Sequence, residues 1–238
     1  MAPKRVTALI TLGLGICLAT SIQALAADDA NPKVKPIKVK PAAFIGSSTD
    51  CPGLPQGSNI VTARWLPGIG LPDDGSPNTT NPANTDPHFG LLLSKNGPTQ
   101  TCSAATASIT GVTGEVITEL GFDLRNGTHC GGGAPRFNII TTDNVFHAAS
   151  CGDSSESPAP QDPAHWTRIR VDLATQVFPP LPPNAAIMTL AIVYDEGSDA
   201  PSTQDPQGSG LSVIDNIDIN GTIVARGPTK STGGTDPD

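Results

Sequence analysis

The sequence predicts an all-β chain: an antiparallel β-sandwich of jelly-roll type with about 8–9 strands and two disulfides. Three observations carry that expectation. Glycine (25) and proline (24) together make up about a fifth of the chain, so turns are frequent and the segments between them short. Those segments are apolar runs or apolar–polar alternations of strand length at fairly regular spacing. No stretch carries an amphipathic helical period of useful length.

Residues 1–26 read as a secretory signal peptide. Lys4 and Arg5 are its charged start, residues 6–18 its apolar run and Ala24-Leu25-Ala26 a small-x-small cleavage site. The apolar run is too short to span a bilayer. Ile16 precedes Cys17 where a lipoprotein signal carries a small residue, so no lipid anchor is expected. Residues 27–42, ADDANPKVKPIKVKPA, alternate proline and lysine with small aliphatics, the composition of an extended tether. Lys33, Lys35, Lys38 and Lys40 there are suited to an anionic cell wall or polysaccharide, although a solvated linker is the commoner role of such a segment.

The sandwich domain is expected over 43–226, beginning near Phe44. Strands are read at 60–66, 89–94, 105–112 and 116–125, with a long Asn/Pro/Asp/Gly loop over 67–87 that is functional or mobile by its length. The stretch 120–151 organises the rest. Leu120, Phe122 and Leu124 alternate with Gly121, Asp123 and Arg125, and Asn126-Gly127 is a turn dipeptide. A hairpin follows, with arms 136–140 and 145–147 about the turn Thr142-Asp143-Asn144. Further strands are read at 166–173, at 187–194 (apolar on both parities, hence central and buried on both sides) and at 213–219, with a short return over 222–225. The polar tail 227–238 is expected to be disordered.

Loss of the leader removes Cys17 and leaves Cys51, Cys102, Cys130 and Cys151, an even count in an oxidising compartment. Of the three connectivities, Cys130–Cys151 with Cys51–Cys102 is favoured, because Cys130 and Cys151 sit just outside the two arms of the hairpin. No pair has the CxxC spacing of a zinc site. Removing Lys4 and Arg5 takes the basic residues from 14 to 12 against 22 acidic ones, so the net charge moves from −8 to −10. Nucleic acid and anionic membranes need a basic footprint and are excluded as partners on that ground.

The pattern WTRIRVDL (166–173), then an apolar strand, then VIDNIDING (213–221) resembles the second half of galactose-binding-like jelly rolls of the carbohydrate-binding type. In that class a Trp-led strand precedes a final strand that contains Asp-Asn and ends at Asn-Gly. The resemblance covers 166–221 and implies a sugar-binding sandwich, often with a structural calcium. The first half of the chain carries no family motif, and CGGGAPRFNI is similar to a stretch of secreted bacterial proteins of unassigned function.

Two sites follow as expectations. Trp166, Arg168, Arg170 and Asp172 share the parity opposite the presumed core face, and an exposed tryptophan beside arginines and a carboxylate suits a sugar ring and its hydroxyls. Trp65 and the loop holding His88 and Phe89 are placed to add to that surface. Asp195, Glu196 and Asp199 lie in the loop leaving the 187–194 strand. By strict alternation Asp215 shares a face with Val213, Ile217 and Ile219, where an unpaired carboxylate is costly. A calcium held by Asp195, Glu196, Asp199 and Asp215 would resolve that cost. So would a bulge that turns Asp215 outward, or hydrogen bonds from turn amides. No Asp-x-Asp-x-Asp-Gly loop is present.

Catalytic signals are poor. Of the four glutamates, Glu115 and Glu119 lie roughly 13 Å apart on one strand, too far for a retaining carboxylate pair. The histidines are scattered, and neither HExxH nor GxSxG occurs. The sequence thus predicts a secreted or periplasmic, non-catalytic module for a polysaccharide or cell-surface glycan. An adhesion-type exported protein using the 67–87 loop to bind another protein is the alternative, and a polysaccharide hydrolase the third reading.

Overall fold

Twelve strands in two antiparallel sheets make up a computed structural model that describes residues 35–73, 87–131, 133–198, 201 and 208–224. The expected signal peptide, the start of the expected tether, residues 74–86 of the expected loop and the expected tail lie outside the described residues. The first sheet contains β1 (Lys38–Ile45), β4 (Ser103–Thr110), β10 (Ile187–Tyr194), β6 (Arg136–Thr141) and β7 (Phe146–Ser150), in the order β1-β4-β10-β6-β7. The second contains β2 (Val61–Leu66), β3 (Gly90–Lys95), β11 (Leu211–Ile219), β5 (Leu120–Arg125), β9 (Trp166–Arg170) and β8 (Ser155–Pro158), in the order β2-β3-β11-β5-β9-β8. β12 (Thr222–Val224) pairs with the end of β11.

The period-two patterns place the core. Leu120, Phe122 and Leu124 point between the sheets and meet Phe137, Ile139, Ile192 and Tyr194 from the other layer. The rings of Phe122 and Phe137 are 5.7 Å apart across the sandwich. β10 occupies the centre of its sheet, as its apolar character demands, yet Met188 and Thr189 are exposed, so burial on both sides is confined to its last residues. The reason is that nothing in the described chain covers the outer face of this sheet at that end.

Residues 38–42, expected in the tether, belong to a strand. Lys38–Ile45 pairs with β4 along its whole length, and Val39 is in the core. The lysine–valine–lysine alternation that suits a solvated tether also suits an edge strand with one apolar residue inward and its cations outward. Edge position accommodates Pro41, which donates no ladder hydrogen bond. β8 was equally illegible, since all four of its residues are exposed.

The turns and cross-links agree with the sequence. Gly127 has φ +79° in the turn after β5, and Asn144 φ +64° in the β6–β7 turn. The disulfides are Cys51–Cys102 and Cys130–Cys151. The second joins residues flanking the β6–β7 hairpin, with Cα atoms 5.4 Å apart. No helix among the described residues is long and apolar enough to cross a membrane.

Lys95 closes one end of the sandwich. It follows Leu91 and Leu93 on the inward parity of β3, so its stem runs into the interior. Its ammonium donates to the carbonyls of Thr99 at 2.7 Å, Thr101 at 2.9 Å and Asp195 at 2.8 Å. Three carbonyl acceptors are what a buried ammonium needs to offset its lost hydration.

Candidate functional site

The outer face of the second sheet is covered, and its covering creates the site. Residues 69–71 and 159–166 fold over β11, β5 and β9 and enclose a second apolar cluster of Leu71, Ala159, Trp166 and Val213. The parity expected for Trp166, Arg168 and Arg170 is correct: all three point away from the main core. Their exposure is not as expected. Trp166 is 4% exposed and Arg168 8%, because the overlying loops exclude water from that face.

Under this cover lies a polar network. Asp123 and Arg168 are cross-strand partners, and Arg168 Nε donates to Asp123 Oδ1 at 3.1 Å. Asn216 Nδ2 donates to Asp123 Oδ2 at 2.8 Å and to Gln161 Oε1 at 2.5 Å, and Gln161 Nε2 donates to the Pro72 carbonyl at 3.2 Å. Burial pushes the Asp123 carboxyl above its usual range, opposed by Asn216 and Arg168. Arg170 lies 3.3 Å from buried Asp218 and 3.6 Å from Glu119.

Asp215 belongs to this network and not to the main core. The β11–β5 register shifts between Asp215 and Asp218, and Asn216 takes φ +43°. Alternation from core-facing Ile214 puts Asp215 on the outer face with Val213, and the bulge after it returns Ile217 and Ile219 to the core. Asp215 Oδ2 accepts from the Leu71 amide and Oδ1 from the Asn216 amide, both at 2.8 Å. Gly70 permits this approach: a Cβ there would stand 2.2 Å from the Phe89 carbonyl oxygen and 2.6 Å from Asp215 Oδ2. Burial, reinforced by Asp73 and Asp123, holds the Asp215 carboxyl well above its ordinary range despite the two amides.

Of the acidic residues expected to share a cation, Asp195 and Glu196 are each engaged by a basic side chain. Asp195 Oδ1 and Oδ2 each accept from Arg136 at 2.7 Å, and His129 Nε2 lies 2.8 Å from Glu196 Oε2. Burial raises the Glu196 carboxyl, with His129 opposing. Lys95 ties the Asp195 carbonyl to the level of Gly210, whose carbonyl accepts from the Lys95 amide. Asp215 lies five residues further along β11, about 16 Å at strand rise. Asp199 lies outside the described residues. Among the described residues, no group of three or more His, Cys, Asp or Glu is arranged to hold a metal ion. Asp172, past the end of β9, is exposed and caps a turn, accepting from the Ala174 amide at 2.9 Å and Thr175 Oγ1 at 2.6 Å.

A cleft of about 440 Å³ opens at the rim of the covered face, lined by Gly68, Ile69, Gly70, His88, Arg125, Asn126, Asp162, His165 and Trp166. Arg125 stands at the exposed end of β5, where Nη1 reaches the Ile69 carbonyl at 3.5 Å. Asn126 is fixed as the β5 strand turns: its amide donates to the His165 carbonyl, Nδ2 to the Ala164 carbonyl, and Oδ1 accepts from Thr167 Oγ1. His165 Nδ1 lies 2.9 Å from Oδ1 of buried Asp162, and the imidazole is 76% exposed. His88 is held at φ +49°, its carbonyl accepting from the Gly70 amide.

Of the expected site residues only Trp166 lines this cleft, together with His88 from the loop expected to contribute; Trp65 packs against the main core instead. Arg125, Asn126, Asp162 and His165 were not legible as a group. Their one local signal is the three-residue spacing of Asp162 and His165, which suits a turn as well as a site. Compared with protein-family models, curated proteins and solved structures, the chain matches nothing.

Proposed function

We propose that the protein is an exported, non-catalytic carbohydrate-binding module whose ligand enters the cleft between β5, the 68–70 turn and the 162–166 turn. One observation carries the reading: Arg125, Asn126 and the Asp162–His165 pair converge beside the edge of Trp166. Planar polar groups of this kind meet vicinal hydroxyls, while an indole edge and Ile69 supply an apolar wall for the ring C–H face. A cleft of this size suits one or two sugar residues. Among the described residues no Ser, Thr or Cys lines it. Export agrees with the two disulfides, which persist in oxidising compartments. The galactose-binding-like pattern of residues 166–221 supports the same class of ligand.

The test is a glycan-panel screen followed by calorimetry on the protein and on Arg125→Ala with His165→Ala. Both side chains are exposed, so the variant should melt with the parent. At least one neutral or amino-sugar glycan should bind the parent and lose about tenfold or more on removal of the two side chains. A folded parent that retains no glycan, or a variant that binds as well as the parent, overturns the reading.

A further inference from the structure

The five strands of the first sheet contain no aspartate or glutamate, although the chain has 22 acidic residues against 14 basic ones. The second sheet, by contrast, carries Asp123, Glu156, Asp215 and Asp218. On the outer face of the first sheet the cations are concentrated on β1. Val39 is in the core, so Lys38, Lys40 and Phe44 share the opposite, outward parity. Lys38 faces Thr110 and Lys40 faces Ser108 on β4, and neither lysine forms an ion pair among the described residues. Arg136, the other cation on this face, is neutralised by Asp195. Phe44 is 43% exposed and borders a separate cavity of about 380 Å³ with Leu54, Arg136, Asp195 and Glu196.

We propose that this row on β1 is a second binding surface, distinct from the cleft, for a linear acidic polysaccharide. Lys38 and Lys40 stand roughly 7 Å apart and Phe44 roughly 13 Å beyond Lys40 at strand rise. Two cations therefore meet carboxylates of an extended chain while the phenyl ring takes the C–H face of a sugar further along. Thr106, Ser108 and Ala191 on the neighbouring strands are small, so a polymer can lie flat against the sheet. The strands themselves contribute no carboxylate to this face, and Asp195 and Glu196 beside Phe44 are engaged by Arg136 and His129, which limits the repulsion they impose. The strip is one strand wide, which suits a single polyanionic chain. A membrane presents a broad charged plane, which a strip one strand wide does not match.

The experiment measures binding of the intact protein to polygalacturonate, to dextran and to phosphatidylglycerol vesicles at low and high salt. Polygalacturonate should be retained, dextran should not, and affinity should fall as salt rises. Lys38→Glu with Lys40→Glu should lose at least about tenfold and flatten the salt dependence. Lys38→Gln with Lys40→Gln should lose less in the same direction, which guards against disruption of the edge strand by charge reversal. Phe44→Ala should weaken binding without changing the salt slope, and the Arg125→Ala, His165→Ala variant should bind as the parent does. Equal retention on dextran, preference for the vesicles, no binding at low salt, or lysine variants that bind like the parent would each overturn the proposal.

Discussion

Arg168 Nε donates to Asp123 Oδ1 at 3.1 Å across β9 and β5, on a face of the second sheet that is closed to solvent. A charge pair in that position is tied to its surroundings: Asp123 has no exposed surface and also accepts from Asn216. Removing one partner leaves the other buried and uncompensated, which costs about 3–5 kcal/mol. Arg168→Met should therefore lower stability by that amount in urea titrations. The variant, where still folded, should keep the parent's glycan affinity, since Arg168 does not line the cleft.

Asp215 makes stability depend on pH in a definite direction. Its folded-state carboxyl titrates well above the ordinary value, chiefly through burial. The folded state therefore binds its proton more tightly than the unfolded chain does. The resulting stabilisation is fully present below the unfolded value of about 3.9 and is lost as pH rises through the folded one. Asp123, raised in the same way, acts in the same sense. Asp215→Asn, which keeps one amide acceptor, should flatten the decline in urea midpoint as pH is raised from about 4 towards neutrality. A variant whose profile runs parallel to the parent's would remove Asp215 from this account.

Trp166→Ala should be chiefly a stability variant. The indole packs with Leu71, Ala159 and Val213, and only its edge reaches the cleft. Truncation of a buried tryptophan costs about 3–5 kcal/mol, so the melting temperature should fall steeply. Arg125→Ala, at an exposed strand end, should leave melting unchanged and act on affinity.

Lys95→Met should open the end of the sandwich. Three carbonyls, of Thr99, Thr101 and Asp195, lose their common donor. The Thr99 and Thr101 carbonyls keep the amides of Thr101 and Ser103 as donors, so the loss falls chiefly on the Asp195 carbonyl and should be about 1–3 kcal/mol. Hydrogen exchange should show the loss first at the amides of Gly197 and Ser198, which bond to the same loop at Thr99 and Gly97.

The sequence by itself determined the strand class and most strand positions, because these rest on local periodicity, and it favoured the disulfide pairing that the structure shows. Alternation in Leu120, Phe122 and Leu124 specifies a face whatever lies beyond it, and Cys130 and Cys151 flank a hairpin whose turn chemistry is local. β1 escaped because lysine, valine and proline suit an extended tether and an edge strand alike; only pairing with β4 distinguishes them. Parity also placed Trp166, Arg168 and Arg170 together on the face opposite the core. It could not say that residues 69–71 and 159–166 would fold over that face, turning an expected surface into a buried network. Nor could it place the bulge at Asn216, which sends Asp215 away from Ile217 and Ile219. The cleft was decided by tertiary structure alone, for Arg125, Asp162 and His88 come from three separate turns and strand ends, and only the closure of those loops over the sheet brings their side chains to one place.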